Sequence, residues 1–373
     1  MLLDKITTPT LLVNKDKVLR NIERMAKKAE ASNTILRPHF KTHQSHEIGR
    51  WFRTFGVNSI TVSSLQMAAY FAADGWDDIV VAFPVNVREI EQLNSLAERT
   101  KLTILVESRE VMERLDAELT TSVDFYINID IGYGRTGIMI TDLDAIDSIL
   151  DVSDVSKTLN FIGFYTHAGN TYRCKKKKPV TDIFKLYEHG LMRLKEQYTI
   201  DYPAIKLSYG DTPSCSILKD FSNFDEIHPG NFAFYDMQQK HISSCSLDAI
   251  AVAMACPVVA KHESRSELVI HGGGVHFSTE RARRPENVDY FGLIVAFKKG
   301  KWHVNEMGSY IRALSQEHGV IKASEELMAK TNVGDIVVIL PIHSCMTADA
   351  MSHYMDLEGQ IIEKWNGETV NLA

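Results

Sequence analysis

In the stretch Arg37-Pro38-His39-Phe40-Lys41-Thr42-His43, a lysine closes a short apolar run (Thr34, Ile35, Leu36) and has two histidines close by. An amine at a strand terminus, partly withdrawn from water and beside other cationic groups, has a depressed pKa and is free to form a Schiff base with a carbonyl. Lys41 is thus the candidate lysine for carrying pyridoxal phosphate (PLP). Taken alone, the segment reads equally well as a surface turn, so the other polar groups along the chain must decide.

Those groups recur at the ends of apolar runs. Asp130-Ile131-Gly132-Tyr133-Gly134-Arg135-Thr136-Gly137 has three glycines that let a backbone approach a ligand, and Arg135 can bring charge to it. His167-Ala168-Gly169-Asn170-Thr171-Tyr172, Gly210-Asp211-Thr212-Pro213-Ser214 and His228-Pro229-Gly230-Asn231 follow three later runs. Any one of these glycines reads as a tight turn. Together, at the ends of the last two of eight runs, they read as phosphate-binding turns built from backbone N–H groups. Further on, the run Asp335–Leu340 delivers His343 and Cys345 two residues apart. In an extended chain both side chains point the same way, and imidazole with thiolate favours zinc. A bare His-x-Cys more often means a core histidine and an inert buried cysteine.

These residues need a scaffold, and the pattern of the chain predicts one. Short β-rich runs occur at Ile35–Phe40, Ser59–Ser64, Asp78–Phe83, Leu102–Glu107, Asp124–Asp130, Phe161–His167, Ala204–Gly210 and Glu226–Phe232. Most intervals between them carry helix-period apolar residues, such as Ile183, Leu186, Tyr187 and Leu191. Eight strands alternating with helices predict an α/β fold, a (β/α)8 TIM barrel with its site at the C-terminal strand ends. Ahead of it, Val18, Ile22, Met25 and Ala29 form the apolar stripe of a helix with Asn14 and Asp16 as capping candidates, packing on or capping the barrel.

After about residue 240 the texture changes to β-like segments, Ala249–Ala260, Glu267–His271, Tyr290–Phe297, Trp302–Asn305 and Asp335–Leu340, with one short helical pattern at Ser324–Lys330. The predicted division is a barrel over 1–240, whose N-terminal segment has the β domain as an alternative home, and a mostly β domain over 241–373.

The chain of 373 residues is 45% hydrophobic with a net charge of −7, a balance that disfavours nucleic acid. The basic run Lys175–Lys178 reads as a solvated loop. No apolar run approaches a membrane span and the opening Met1-Leu2-Leu3-Asp4-Lys5 lacks a signal peptide's apolar region, so a cytoplasmic protein is expected. Five scattered cysteines without Cys-x-x-Cys spacing argue against a disulfide framework.

Six ordered motifs now stand together: the Lys41 segment, the Gly132–Gly137 loop, His167–Tyr172, Gly210–Pro213, His228–Phe232 and His343-Ser344-Cys345-Met346-Thr347. In this order they resemble the D-serine dehydratase and D-threonine aldolase family, from about residue 5 to the C-terminus. That family belongs to the alanine-racemase-like PLP enzymes, usually head-to-tail dimers of a barrel and a C-terminal β domain. The resemblance implies that Lys41 is the PLP lysine and that Gly210, Thr212, Gly230 and Asn231 bind the phosphate. Arg135, His167 and Tyr172 complete the cofactor set. Tyr172 is the candidate partner of the pyridine nitrogen, because His228 stands where racemases of this fold place an arginine. His343 and Cys345 are implied to bind a divalent metal, zinc first and manganese as the alternative. Family members with aldolase activity tend to carry His-x-Asp there and the dehydratases His-x-Cys, so Cys345 leans towards dehydration.

The implied reaction starts with Lys41 removing the Cα proton of a β-hydroxy D-amino acid while PLP delocalises the charge. A metal on the β-hydroxyl makes it a leaving group, giving a 2-oxo acid and ammonia. Deprotonating that hydroxyl instead gives glycine and an aldehyde, the aldolase outcome. A racemase and a non-enzymatic PLP carrier are the other readings. A carrier would be a barrel alone, and the metal pair stands where a racemase needs a second base. Two further groups have no fixed role. Gln316-Glu317-His318-Gly319 reads either as an outer partner of the metal or as a loop charge pair, and Gly272-Gly273-Gly274-Val275-His276 is left unassigned. Asp349 is a candidate third metal ligand.

Overall fold

The eight runs become eight parallel strands: β1 (Ile35–Leu36), β2 (Ser59–Val62), β3 (Asp78–Pro84), β4 (Lys101–Val106), β5 (Val123–Asp130), β6 (Leu159–His167), β7 (Lys206–Gly210) and β8 (Glu226–Ile227). They hydrogen-bond in the order β1-β8-β7-β6-β5-β4-β3-β2, and a parallel bridge between His39 and Thr61 joins the two ends of the sheet. This is the expected (β/α)8 barrel. The computed structural model describes residues 2–284, 286–298, 300–303 and 308–368. It falls into two units, one of Glu23–Lys41, Gly49–Gly230 and Trp365–Ala373, the other of Met1–Ile22, Thr42–Ile48 and Asn231–Lys364.

β1 and β8 are two residues each, shorter than the sequence suggests, because the chain leaves each strand for a turn of 3-10 helix, Phe40–Thr42 and Asn231–Ala233. The helices between strands begin where their caps predict. Ser64, Ser108, Asp142 and Asp211 each accept a hydrogen bond from a backbone N–H of the following first turn. Inside the barrel, Val80, Leu105, Tyr126 and Tyr165 pack into one buried cluster, a filled core of the kind barrels of this size require.

Arg37 is a buried cation of this unit held by two carboxylates. Arg37, just past β1, places Nη2 2.7 Å from Glu226 of β8 and Nη1 2.7 Å from Asp78 of β3. Burial alone would lower the Arg37 pKa, but the two carboxylates outweigh it and raise it. The pair thus ties the strand leading to Lys41 to two others.

The second unit is an antiparallel barrel. Its strands run in the order Glu267–His271, His318–Lys322, Tyr310–Leu314, Gly292–Lys298, Ile336–Pro341 and Val252–His262, and the last pairs back to the first. Val252–His262 has eleven residues and a register shift between Val258 and Ala260, so its two halves serve different neighbours. The N-terminal strand Thr10–Val13 pairs antiparallel with Val252–Ala255 in this same unit. Helix Lys15–Ala31 follows, with Asn14 accepting from the Lys17 N–H at 3.1 Å and Asn21 donating to the Ala233 and Ala249 carbonyls. Of the expected Trp302–Asn305 strand, Lys301–His303 is observed and Asn305 lies outside the described residues. Strands Tyr310–Leu314, His318–Lys322, His353–Asp356 and Ile361–Glu363 were not legible as strands, being short and half polar. Among the described residues no helix is long and apolar enough to cross a membrane.

Candidate active site

In the barrel unit, Lys41 stands on the 3-10 turn Phe40–Thr42, beyond the end of β1. The turn is fixed by its first residue. Phe40 is fully buried, and its ring meets Phe52, Phe71 and Trp76 at centroid distances of 5.0, 4.9 and 5.1 Å. Lys41 itself is exposed, so the expected desolvation of its amine is not what the fold supplies. It supplies neighbouring charge and polarity instead.

Three histidines surround this turn. His39 is lowered well below the usual imidazole range by burial and then by the charges of Lys41, His228, His167 and Arg135. His167 is lowered to about 3, by burial and then by Lys41 and Arg135. His228 is lowered well below its usual range by burial first and then by His167 and Arg37. All three are neutral at pH 7. Hydrogen bonds fix the ring tautomers. His167 Nδ1 lies 2.7 Å from the Gly210 carbonyl and must donate to it, leaving Nε2 as a lone pair. His39 Nδ1 accepts from the Lys41 N–H at 3.3 Å, which places its proton on Nε2.

The ends of β6, β7 and β8 meet around unpaired polar atoms. His228 stacks on Tyr165 at 4.0 Å and pairs Nδ1 with Ser208 Oγ at 3.0 Å, while its buried Nε2 has no partner. Thr212 Oγ1 is likewise buried and unpartnered. The Thr212 N–H donates to the Tyr172 hydroxyl at 3.2 Å, so Tyr172 is committed at least partly to this turn. Beneath it, buried Asp211 accepts from Ser214 N–H (2.6 Å), Thr171 Oγ1 (2.9 Å) and Tyr209 OH (2.5 Å). Sequence reasoning did not single out Asp211 as the organiser of this turn. Its signal was the N-cap position before Thr212-Pro213.

The Gly132–Gly137 loop behaves differently from its expectation. The N–H groups of Gly132, Tyr133 and Gly134 turn onto the Asp130 carboxylate at 2.9, 2.7 and 2.8 Å, and so are spent on the protein. Gly137 has φ +105°, and a Cβ there would meet the Asp130 backbone N at 2.7 Å, so it serves the close return of the loop. Arg135 lies over the Tyr133 ring at 5.2 Å.

In the other unit, His343 and Cys345 come together, though not on an extended chain. The strand ends at Pro341, His343 caps the helix Ser344–Ala350, and Cys345 is in its first turn. Burial would raise the Cys345 thiol, but a hydrogen bond and charge from His343, with a further bond from Thr42, lower it. Burial would lower His343, but Cys345, Asp236 and Glu280 outweigh it and hold it at about 9. The two groups thus favour each other's charged forms, the thiol shifted down and the imidazole shifted up. Cys345 Sγ also lies 3.3 Å from Thr42 Oγ1 and 3.4 Å from Asn231 Nδ2. Asn231 Nδ2 further donates to Asp236 Oδ2 (2.6 Å) and Ser344 Oγ (3.0 Å), which places its amide with Cys345. Buried Asp236, which also accepts from the Ser344 N–H at 2.9 Å, was missed in the sequence because nothing near it signals chemistry. Among the described residues no third His, Cys, Asp or Glu completes a three-ligand group with this pair. Asp349 accepts from Gln44 Nε2 at 2.6 Å instead.

Two family models match the chain: the alanine racemase N-terminal domain over residues 13–237 and a putative serine dehydratase domain over 251–356. The chain is 26% identical to the D-serine dehydratase of Dictyostelium discoideum, covering 97% of each. It is 24% identical to the D-threo-3-hydroxyaspartate dehydratase of Delftia sp. HT23, covering 94% of each. The solved structure of the Delftia dehydratase superposes with a TM-score of 0.90 at 25% identity over 98% of this chain and 99% of that one. A D-threonine aldolase from Filomicrobium marinum shares the fold, with a TM-score of 0.81 at 20% identity over 97% of this chain and 95% of that one.

Proposed function

We propose that this chain, which belongs to the D-serine dehydratase and D-threonine aldolase family built on the alanine-racemase-type barrel, converts a β-hydroxy D-amino acid to a 2-oxo acid and ammonia. It is a PLP-dependent lyase. The observation that carries the choice of dehydration is Cys345, a lowered thiol beside His343. Soft thiolate with imidazole fits zinc. Relatives named as dehydratases share nearly the whole chain.

The barrel residues fit PLP. Buried Thr212 Oγ1 and His228 Nε2 are polar atoms left without a protein partner, and Lys41 with Arg135 gives net positive charge to a place lined by neutral histidines. Gly210, Thr212 and Gly230 would hold the phosphate, and Asn231 would contribute its backbone, since the donors of its side-chain Nδ2 go to Asp236 and Ser344. Arg135 and His167 would line the cofactor. Tyr172 would meet the pyridine nitrogen, since its hydroxyl accepts from the Thr212 N–H and keeps its own proton to donate, and His228 Nε2 is a second polar atom without a protein partner. When bound, PLP supplies an electron sink and the metal a Lewis acid for the β-hydroxyl.

The residues' own part is proton handling and positioning. Lys41 would hold PLP and would take the Cα proton, and neutral His39 and His167 keep its surroundings free of competing charge. Thr42 and Asn231 orient the Cys345 thiolate. We further propose a cytoplasmic homodimer. All five cysteines are free, as a reducing compartment favours, and the family resemblance supports the dimer. Incubation with D-serine, D-threonine and D-threo-3-hydroxyaspartate tests the reading: 2-oxo acid and ammonia are expected, whereas glycine and an aldehyde would make the enzyme an aldolase.

A further inference from the structure

The antiparallel barrel carries a second group of side chains that the lyase reading does not use. His271 ends strand Glu267–His271, His276 lies on the short helical turn Gly274–Phe277, and Glu317 stands at the hairpin before strand His318–Lys322. One ligand atom from each lies within 4.8 Å of the other two. His271 Nε2 and His276 Nε2 are each 3.8 Å from Glu317 Oε2. That is too long for a hydrogen bond, so three polar groups converge without touching. The two imidazole planes stand at 89°, with centroids 5.5 Å apart, so they approach the common point from different directions.

The main chain holds them there. His271 pairs directly with His318, which places Glu317 across from the residues just after His271. Gly272 N–H donates to the Glu317 carbonyl (2.8 Å), Gly274 N–H to Ser315 (2.7 Å) and Val275 N–H to Gln316 (3.2 Å). A Cβ on Gly273 would sit 2.3 Å from the Gln316 carbonyl oxygen, so the glycine run is what lets the hairpin close on the loop.

We propose that His271, His276 and Glu317 form a divalent transition-metal site of the zinc class, separate from His343 and Cys345 and sharing no ligand with them. Two imidazole nitrogens and a carboxylate oxygen are a known donor set for such ions, with water free to fill the remaining positions. Tetrahedral bonds of about 2.0–2.1 Å put ligand atoms roughly 3.3 Å apart. The 3.8 Å gaps to Glu317 therefore need a contraction of about half an ångström, which Glu317, half exposed, can supply by a rotamer adjustment, while the two rings, whose ligand atoms lie within 4.8 Å, close on each other by side-chain rotation. Burial lowers the His276 pKa, with Glu317 opposing, so the ring is neutral at pH 7. Its Nδ1 accepts from the Gly273 N–H at 3.2 Å, which puts the ring proton on Nε2. On metal binding that proton moves to Nδ1 and the long Gly273 bond is given up, with no net proton release. The bound ion would clamp loop 271–276 to hairpin 315–317.

The test is zinc content per chain, measured by elemental analysis after loading the PLP-saturated protein with excess zinc and removing free metal, in wild type, Glu317→Gln and Cys345→Ala. The expected result is that Glu317→Gln loses one zinc equivalent, with site affinity reduced at least about 10-fold, while Cys345→Ala keeps that equivalent. Anomalous diffraction at the zinc edge should place a peak among the three side chains. His276→Gln is a second variant, and half-exposed Glu317 keeps the test interpretable if that one fails to fold. Zinc content unchanged by Glu317→Gln, or no anomalous peak at this position in zinc-loaded crystals, would overturn the proposal. Either result leaves the reading of His343 and Cys345 to its own variant.

Discussion

Replacing Arg37 by Met should destabilise the barrel by an amount that depends on pH, and the structure sets both numbers. Met keeps most of the buried stem volume, so the loss is one of charge. Asp78 is partly exposed and has Lys101 within 3.9 Å, so it loses little. Glu226 is buried, its Oε1 contact is Arg37 at 2.7 Å, and its Oε2 has no partner. Without Arg37 it must stay buried and charged, at about 3–5 kcal/mol, or take up a proton. Protonating a glutamate of ordinary pKa near 4.3 costs about 3.7 kcal/mol at pH 7 and about 1 kcal/mol at pH 5. The smaller route wins at each pH. The expected penalty is therefore about 3–4 kcal/mol at pH 7, falling to about 1–2 kcal/mol at pH 5. Urea denaturation of both proteins at the two pH values measures it, and Arg37→Met with Glu226→Gln should recover most of the pH 7 loss. A penalty below 1 kcal/mol, or one that does not change between pH 7 and pH 5, would refute the reasoning.

Other expectations follow from the same structure. Wild-type stability should fall as pH drops below about 6.5. His43 and His167 are held at about 3 by burial, so the unfolded chain binds protons that the folded chain refuses. Each should contribute a loss of about 1.4 kcal/mol at pH 5.5, approaching a slope of 1.4 kcal/mol per unit below it, and a flat profile from pH 7 to 5 would contradict their burial as neutral rings. Lys41→Ala should abolish turnover and the cofactor's borohydride-reducible attachment, while far-UV circular dichroism stays unchanged because the side chain is exposed. Cys345→Ala should reduce activity at least about 100-fold with PLP absorbance retained, and Cys345→Asp should shift metal preference towards manganese, both read by metal-titrated assays.

The barrel was legible because its strands are continuous apolar runs and its helices keep a 3.6-residue period, as in Ile183, Leu186, Tyr187 and Leu191. The ends were less so. Ile35–Phe40 and Glu226–Phe232 read as full strands because their apolar content continues, yet the chain leaves each sheet early to form the turns that present Lys41 and Asn231. The antiparallel barrel was partly hidden, since strands such as His318–Lys322 are short and gain their identity from long-range pairing. Site residue types could be named from the sequence, but their partners could not. Asp130 taking up three loop N–H groups, Asp236 holding Asn231 and Ser344, and a helix rather than a strand bringing Cys345 to His343 are all products of tertiary packing.

The most direct test of the central claim follows 2-oxo acid formation from D-serine and D-threo-3-hydroxyaspartate in one sample, before chelation, after chelation and after zinc is restored, with the cofactor absorbance recorded throughout. The expected result is that 2-oxo acid production stops on chelation and returns with zinc while the absorbance persists. Turnover that continues at full rate in metal-free protein, or glycine in place of the 2-oxo acid, would contradict a PLP- and metal-dependent dehydratase.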